Sequence, residues 1–341
     1  MNTKAILVTG GAGYIGSHVA RQLGEAGETV VVLDDLSTGF RQAVLSGDLV
    51  VGNTGDAACL EQLFSTYDID TVMHFAAHTI VPESVADPLK YYRNNTAASR
   101  TLLEWALKSQ VRHWIFSSTA AVYGIPDGGI ASEDSPTRPI NPYGQSKLMT
   151  EQMLRDVAAV NPLDYVALRY FNVAGSDPEG RIGQATPKAT LLTKVACEVA
   201  VGRRDELLIY GTDYDTADGT GVRDYIHVED LASAHLAALD HLRAGGESTV
   251  LNAGYGHGAS VREVVSMVEQ VAGHDIAKRE VERRAGDPPT LIAAVDRIGQ
   301  TLDWTPRYDD LEQICASSLA WERKLATGHW QERLAETGAR A

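Results

Sequence analysis

Over its first 175 residues the chain repeats one rhythm, in which short runs rich in Val, Ile and Leu alternate with longer segments of helical period. The apolar runs fall at residues 5–9, 29–33, 71–75, 113–117 and 165–169, and the helical segments at 14–25, 57–66, 91–109 and 143–160. Such alternation predicts an α/β fold built on a parallel sheet. Right-handed crossovers place helices on both faces of a doubly wound sheet, with the ligand site beyond the C-terminal ends of the strands. After Ser176 the rhythm loosens: residues 213–221 are polar and turn-rich, and 283–289 mix charge with Gly and Pro. Residues 1–175 are therefore expected to form one domain, with 224–238 and 250–254 returning to its sheet, and residues 176–341 to form mainly a smaller α/β lobe over it.

Composition removes several classes of function. The three cysteines, Cys59, Cys197 and Cys315, are far apart, so no disulfide framework or Cys-x-x-Cys site is available and a reducing, cytoplasmic setting is expected. No apolar run reaches the roughly 18 residues that span a bilayer. The formal net charge of -15 repels polyanions, so no nucleic-acid partner is expected. A small anionic ligand stays open, because a few arginines in a cleft reverse the local potential.

Gly10, Gly13 and Gly16 follow the first apolar run and open the first helical segment. Glycine there permits a tight turn and lets pyrophosphate approach backbone amides at a helix N-terminus. Asp34 ends the second run, where a carboxylate accepts from ribose hydroxyls and repels the extra phosphate of NADP. The first domain is thus read as a Rossmann domain that binds NAD.

Tyr143 and Lys147 are four apart on a predicted helix and face one site. A free phenol, with a pKa of about 10, is a poor base at neutral pH; a nearby ammonium and an oxidised nicotinamide both favour phenolate. Thr119 follows Phe116-Ser117-Ser118 at a strand end, where its hydroxyl could share a substrate proton with Tyr143. His74 and His78, also four apart, lie where a strand passes into a loop, and no third ligand follows closely, so no metal site is expected. His227 reads as a buried hydrogen-bonding residue.

With these motifs the chain resembles the extended short-chain dehydrogenases, and among them the UDP-glucose 4-epimerases. The resemblance runs through residues 8–18, 116–124, 143–147, 169–172, 219–228 and 284–287, and the 219–228 block is the most specific. It implies that Tyr14 and Ile15 cover the pyrophosphate, that Asp34, Ser37, Thr38 and Gly39 hold the adenosine ribose, and that Asn53 and Thr54 lie by the adenine. Phe75, Ala76, Ala77 and Asn94 would line the dinucleotide, with Tyr143, Lys147 and Tyr170 at its nicotinamide end. On the substrate side it implies Thr119, Phe171 and Asn172 beside the sugar, Tyr210 at the uracil, Arg223 and Arg284 on the diphosphate, and Asp287 on the uridine ribose. A homodimer is the state it implies.

The implied reaction interconverts UDP-glucose and UDP-galactose: Tyr143 takes the 4-hydroxyl proton, a 4-keto sugar forms and turns over, and it is reduced on its other face. A nucleotide-sugar 4,6-dehydratase begins identically but needs an added acid-base pair; where dehydratases carry Asp-Glu after the threonine, this chain has Ala120-Ala121. A non-catalytic NAD sensor would not need Thr119, Tyr143 and Lys147 together. Against the family pattern, Asn53 replaces an aspartate at the adenine, Thr79 a lysine and Leu191 an Asn or His. Leu291 stands at the back of the sugar pocket, intermediate between the tyrosine that excludes N-acetylated sugars and the small residue that admits them.

Overall fold

The computed structural model describes residues 4–186, 189–284, 286–328 and 330. At its centre lie seven strands: β1 Ala5–Thr9, β2 Thr29–Asp34, β3 Asp48–Val51, β4 Ile69–His74, β5 His113–Thr119, β6 Asp164–Tyr170 and β7 Thr249–Ala253. They form one sheet in the spatial order β3-β2-β1-β4-β5-β6-β7, with every pair parallel. Strand order reverses between β1 and β4, which opens a crevice at their C-terminal ends. Side chains alternate across this sheet. Ile6, Val8, Val30 and Val32 join the core on one face, and Leu7, Val31, Leu33 and Phe116 join the core on the other.

Helix α1 (Tyr14–Glu25) covers the first face, whereas α2 (Ala57–Thr66), α3 (Ala98–Lys108) and α4 (Pro142–Ala158) contribute apolar residues to the second. The expected helices at 14–25 and 57–66 form with those bounds. Three segments differ from expectation. Strand β3 was not anticipated, since its four residues are half-buried or exposed at a sheet edge and show little apolar patterning. The single helix expected at 91–109 is divided into Pro88–Tyr91, a π-helical stretch Tyr92–Ala97, and α3. The extra residue of the π turn carries Asn95 inward, where it accepts from the His78 amide and donates to the Ser146 hydroxyl.

The segment expected to return to the sheet at 224–238 does not enter it. Tyr225–His227 pairs instead with Asn172–Ala174 in a separate ribbon, and the chain continues into a helix that packs on α1. Only Thr249–Ala253 joins the main sheet, beside β6. Helix α5 (Leu192–Ala200) precedes this crossing helix, α6 (Val228–Arg243); after β7 come α7 (Val261–Ala272) and α8 (Leu311–Ala326), and α5, α7 and α8 pack together. A small sheet orders Ala259–Ser260, Val222–Arg223, Thr290–Ala293 and Ile130–Ala131, so residues 130–131, within the range read as the first domain, pair with the later half of the chain. Among the described residues no helix is long and apolar enough to cross a membrane.

Helix α1 is fastened to α6 by a buried ion pair between Arg21 and Glu229, whose second partner is Gln22 Nε2 at 2.8 Å. Removing one member of a buried pair leaves its partner short of a counterion; without Glu229, Arg21 would keep only the half-exposed Glu25, bound at 2.6 Å. Glu229→Ala is expected to cost about 3 kcal/mol in urea unfolding, and a loss below about 1 kcal/mol would show that Arg21 finds other solvation.

Candidate active site

The turn between β1 and α1 is shaped by backbone contact. Gly10 has φ +70°, and a Cβ there would lie 2.7 Å from the Ala76 amide nitrogen. A Cβ on Gly16 would lie 2.3 Å from the Gly10 carbonyl oxygen. Gly13 caps α1 without a side chain, so the first-turn amides are presented beside the crevice at the sheet reversal. Phe75, Ala76 and Ala77, each half-buried, continue β4 along the same crevice. Ala76 and Gly10 are in close contact across it. Such a cradle, closed to any Cβ and lined with helix-terminal N–H groups, fits a pyrophosphate. Tyr14 donates to the Gly175 carbonyl at 2.6 Å, and Ile15 packs on the core.

Asp34 is buried at the end of β2, where it accepts from the Ala12 amide at 3.0 Å and the Leu36 amide at 2.8 Å. Burial raises its pKa and these two bonds oppose the rise. Ser37 bonds to Asp35 through its amide and hydroxyl, Thr38 is exposed, and Gly39 passes against Ala12 too closely for a side chain. Asn53, expected at the adenine, has an oxygen that accepts from the Gly55 amide at 2.8 Å and an Nδ2 that donates to Asp35 at 3.0 Å. The side chain closes its own turn, as Asx side chains do. Thr54 is buried beside it, and Asn94 donates to Asn95 at 3.2 Å.

Tyr143 and Lys147 lie in the first turns of α4, which starts at Pro142 and is capped by Asn141 accepting from the Gly144 amide at 2.9 Å. Both are buried against the end of β5. Thr119 lies beside the Tyr143 hydroxyl, its own Oγ1 accepting from the Ala121 amide at 3.2 Å, and the Tyr143 ring meets Tyr91 edge-on at 6.5 Å. Lys147 Nζ donates to the Ser117 carbonyl at 2.8 Å and sits 4.8 Å over the Phe116 ring. Tyr170 accepts from the Ser117 hydroxyl at 3.1 Å.

Burial pushes the Tyr143 phenol well above its ordinary value, the neighbouring Tyr170 and Tyr91 add to this, and the Thr119 bond opposes it. Burial brings the Lys147 ammonium down to about 7, with Glu151 opposing. The ammonium expected to act on Tyr143 gives one of its three N–H groups to the Ser117 carbonyl, and burial favours the neutral phenol. A positive charge brought into the crevice would favour the phenolate.

His74 is fully engaged, Nδ1 with the Thr9 hydroxyl at 2.6 Å and Nε2 with the Ser99 hydroxyl at 2.7 Å, and burial lowers its pKa to about 3. Among the described residues no group of three His, Cys, Asp or Glu could hold a metal ion. His227 caps α6 by accepting from the Glu229 amide at 3.1 Å, stacks on Tyr308, and is lowered to about 4 by burial.

On the substrate side Phe171 and Leu291 meet in one apolar cluster with Leu148, Val122 and Tyr123, next to Thr119 in sequence and space. The Asn172 amide donates to the Asp224 carbonyl at 2.9 Å, and its side chain is half-buried. Arg223 turns Nη1 onto its neighbour's carbonyl at Val222, 2.8 Å away. Arg284 lies 3.7 Å over the centre of the Tyr210 ring, so the cation expected at the diphosphate covers the face expected at the uracil. Asp287 is exposed one turn away, its amide donating to the Arg284 carbonyl. Leu191 precedes α5 and lines a small cavity with Tyr14, Thr193 and Trp321.

Sequence reasoning passed over Asp224, which lies inside the 219–228 block and accepts from the amides of Tyr255, Gly256 and Ala293 at 2.9–3.3 Å, tying β7 to the small sheet. It also passed over Asn95 and Ser146, whose bond links the π turn to α4. Ser146 stands inside the Tyr-x-x-x-Lys motif, but nothing in the sequence pairs it with Asn95.

Residues 6–254 match the model of the NAD dependent epimerase/dehydratase family. The chain belongs to that family. It is 57% identical over 321 residues to a UDP-glucose 4-epimerase of Azospirillum brasilense, covering 94% of this chain and 92% of the relative. As an epimerase-family fold it is similar to the UDP-glucose 4-epimerase of Brucella ovis in complex with NAD, with a TM-score of 0.91 and 43% identity over 93% of this chain and 98% of the other. It is also similar to the UDP-Glc/GlcNAc 4-epimerase of Campylobacter jejuni, with a TM-score of 0.83 and 48% identity over 94% and 99% of the two chains.

Two predictions follow from this geometry. Gly16→Ala must push the α1 turn off Gly10, and NAD binding by calorimetry is expected to weaken at least about tenfold while far-UV circular dichroism stays near wild type. Unchanged affinity would mean that the turn yields freely. For Lys147, the folded pKa of about 7 lies below the ordinary 10.5. Between those values the unfolded state holds the extra proton, so this group's contribution to stability rises with pH through that window. Relative to Lys147→Met, the cofactor-free protein is expected to gain stability in urea unfolding from about pH 7.5 to about pH 9.5; a pH-independent difference would contradict the lowered value.

Proposed function

We propose that this chain is an NAD-dependent 4-epimerase that interconverts UDP-glucose and UDP-galactose. The observation that carries the reading is the juxtaposition of Thr119, Tyr143 and Lys147 at the C-terminal end of the same sheet that carries the glycine cradle, followed by buried Ala120 with no carboxylate pair for dehydration. The cradle of Gly10, Gly13 and Gly16 would hold the pyrophosphate of NAD, with Tyr14 and Ile15 over it and Asp34 at the adenosine ribose. When bound, NAD accepts the C4 hydride, gives it back, and supplies the positive charge that favours the phenolate.

Tyr143 then removes the 4-hydroxyl proton, and Thr119 holds that hydroxyl in line by a hydrogen bond. Lys147, braced on Ser117, stabilises the phenolate by its charge. The resulting 4-keto sugar turns over between Phe171, Asn172 and Leu291 while Arg223, Arg284 and Asp287 keep the nucleotide diphosphate anchored, and Tyr143 returns the proton to the other face. Guanidinium forks suit phosphate oxygens, and both arginines keep free N–H groups for that purpose. In this division residues 1–175, with α6 and β7, hold the cofactor, and most of 176–341 holds the substrate. Leu291 fills the back of the pocket with a mid-sized side chain, which favours the unacetylated pair. The three free cysteines suit a cytoplasmic enzyme, and a homodimer is the state that the family resemblance implies.

The test is incubation of purified protein with UDP-galactose and no added NAD, followed by NMR. UDP-glucose without net NADH is the expected product; a 4-keto-6-deoxy sugar would indicate dehydration, and no turnover would indicate a sensor. Tyr143→Phe is expected to keep NAD and lose at least about two orders of magnitude in kcat, whereas near-normal turnover would remove the phenol from the mechanism. On UDP-N-acetylglucosamine, kcat/KM is expected at least about tenfold below that on UDP-glucose; equal values would overturn the reading of Leu291.

A further inference from the structure

Strand end and helix are also joined through a buried ion pair that the proton transfer above does not use. Glu151 follows Lys147 by one turn of α4, so the two project from one face. Its carboxylate accepts from Arg169 Nε at 3.0 Å and Nη2 at 2.6 Å, and from the Ser118 hydroxyl. The Glu151 and Arg169 side chains are 6% and 7% exposed. Arg169 Nη1 donates to the Tyr123 hydroxyl at 3.0 Å, and that hydroxyl donates to Asn252 at 2.6 Å. Three consecutive residues of β5 thereby meet three successive turns of α4: Thr119 at Tyr143, the Ser117 carbonyl at Lys147, and Ser118 at Glu151.

A well-packed apolar pair would hold helix to strand at least as firmly as a buried ion pair. What it would not supply is a negative charge one turn from Lys147. The other titratable groups around that amine are Tyr143 on the same helix, His74 on β4, kept neutral by burial, and Arg169 and Tyr170 on β6. Burial favours the neutral amine, and the Glu151 carboxylate opposes it.

We propose that Glu151 is a positioning residue for the proton transfer: braced by Arg169 and Ser118, it keeps Lys147 as an ammonium and fixes the register of α4 on the strand end. This rests on the epimerase reading. The test compares kcat against pH for the wild type, Glu151→Gln, Ser118→Ala and the double variant Glu151→Gln/Arg169→Met, each checked for fold by circular dichroism and for retained NAD by absorbance. Glutamine keeps the size and an acceptor for Ser118 but not the charge. The alkaline limb, which reports loss of the Lys147 proton, is expected to move down by about one pH unit, with KM for UDP-galactose changed less than about twofold. The double variant removes both buried charges together and so avoids leaving Arg169 unpaired; because loss of the Arg169 cation offsets part of the lost carboxylate, it is expected to shift the limb in the same direction but by less. Ser118→Ala keeps the charge and should leave the limb in place. An unmoved limb in the glutamate variants, or an equal shift in Ser118→Ala, overturns the proposal. No turnover by the wild type refutes the epimerase reading instead, so the two failures are distinct.

Discussion

The chemistry of this chain depends on one packed seam, where the end of β5 lies along the first three turns of α4. Lys147 is bound to a strand carbonyl, Ser118 to Glu151, and Tyr143 stands at Thr119. The Tyr143 and Lys147 side chains are buried in the seam, and burial is the largest influence on their pKa values. Burial there favours the neutral phenol and the neutral amine, and a positive charge brought beside them would favour the phenolate.

The same economy of charge governs the whole molecule. A net charge of -15 would push a nucleotide diphosphate away if it were evenly spread. In the proposed function Arg223 and Arg284 would counter it locally from two different segments of the chain. Arg223 donates to a neighbouring carbonyl and Arg284 lies over an aromatic face, and charge-assisted bonds to phosphate oxygens would be stronger than either contact. Closure of these segments around a diphosphate would leave the sugar as the mobile part of the ligand, which is what inversion at a single carbon requires.

What the sequence made legible was whatever rests on backbone geometry or period. Gly10 and Gly16 could be read because no other residue fits against Ala76 and Gly10, and the strand runs could be read because both faces of the sheet are apolar. Strand β3 was hidden by its short, half-exposed edge, and the π turn by a sequence that carries an ordinary helical period into a place where Asn95 must turn inward. The 224–238 segment misled because apolar regularity alone does not say whether a segment joins a sheet or covers it. The partners of Asn53 and the Glu151–Arg169 pair depend on tertiary proximity, which single residues do not announce.

The central claim is that oxidation and reduction take place on one sugar without release of the hydride. UDP-galactose carrying deuterium at C4 tests it directly, because a carbon-bound deuterium does not exchange with water unless the bond is broken and the hydrogen escapes. The account predicts UDP-glucose that keeps the deuterium at C4 with inverted configuration. Product with protium at C4, or label recovered in free NADH, would contradict it.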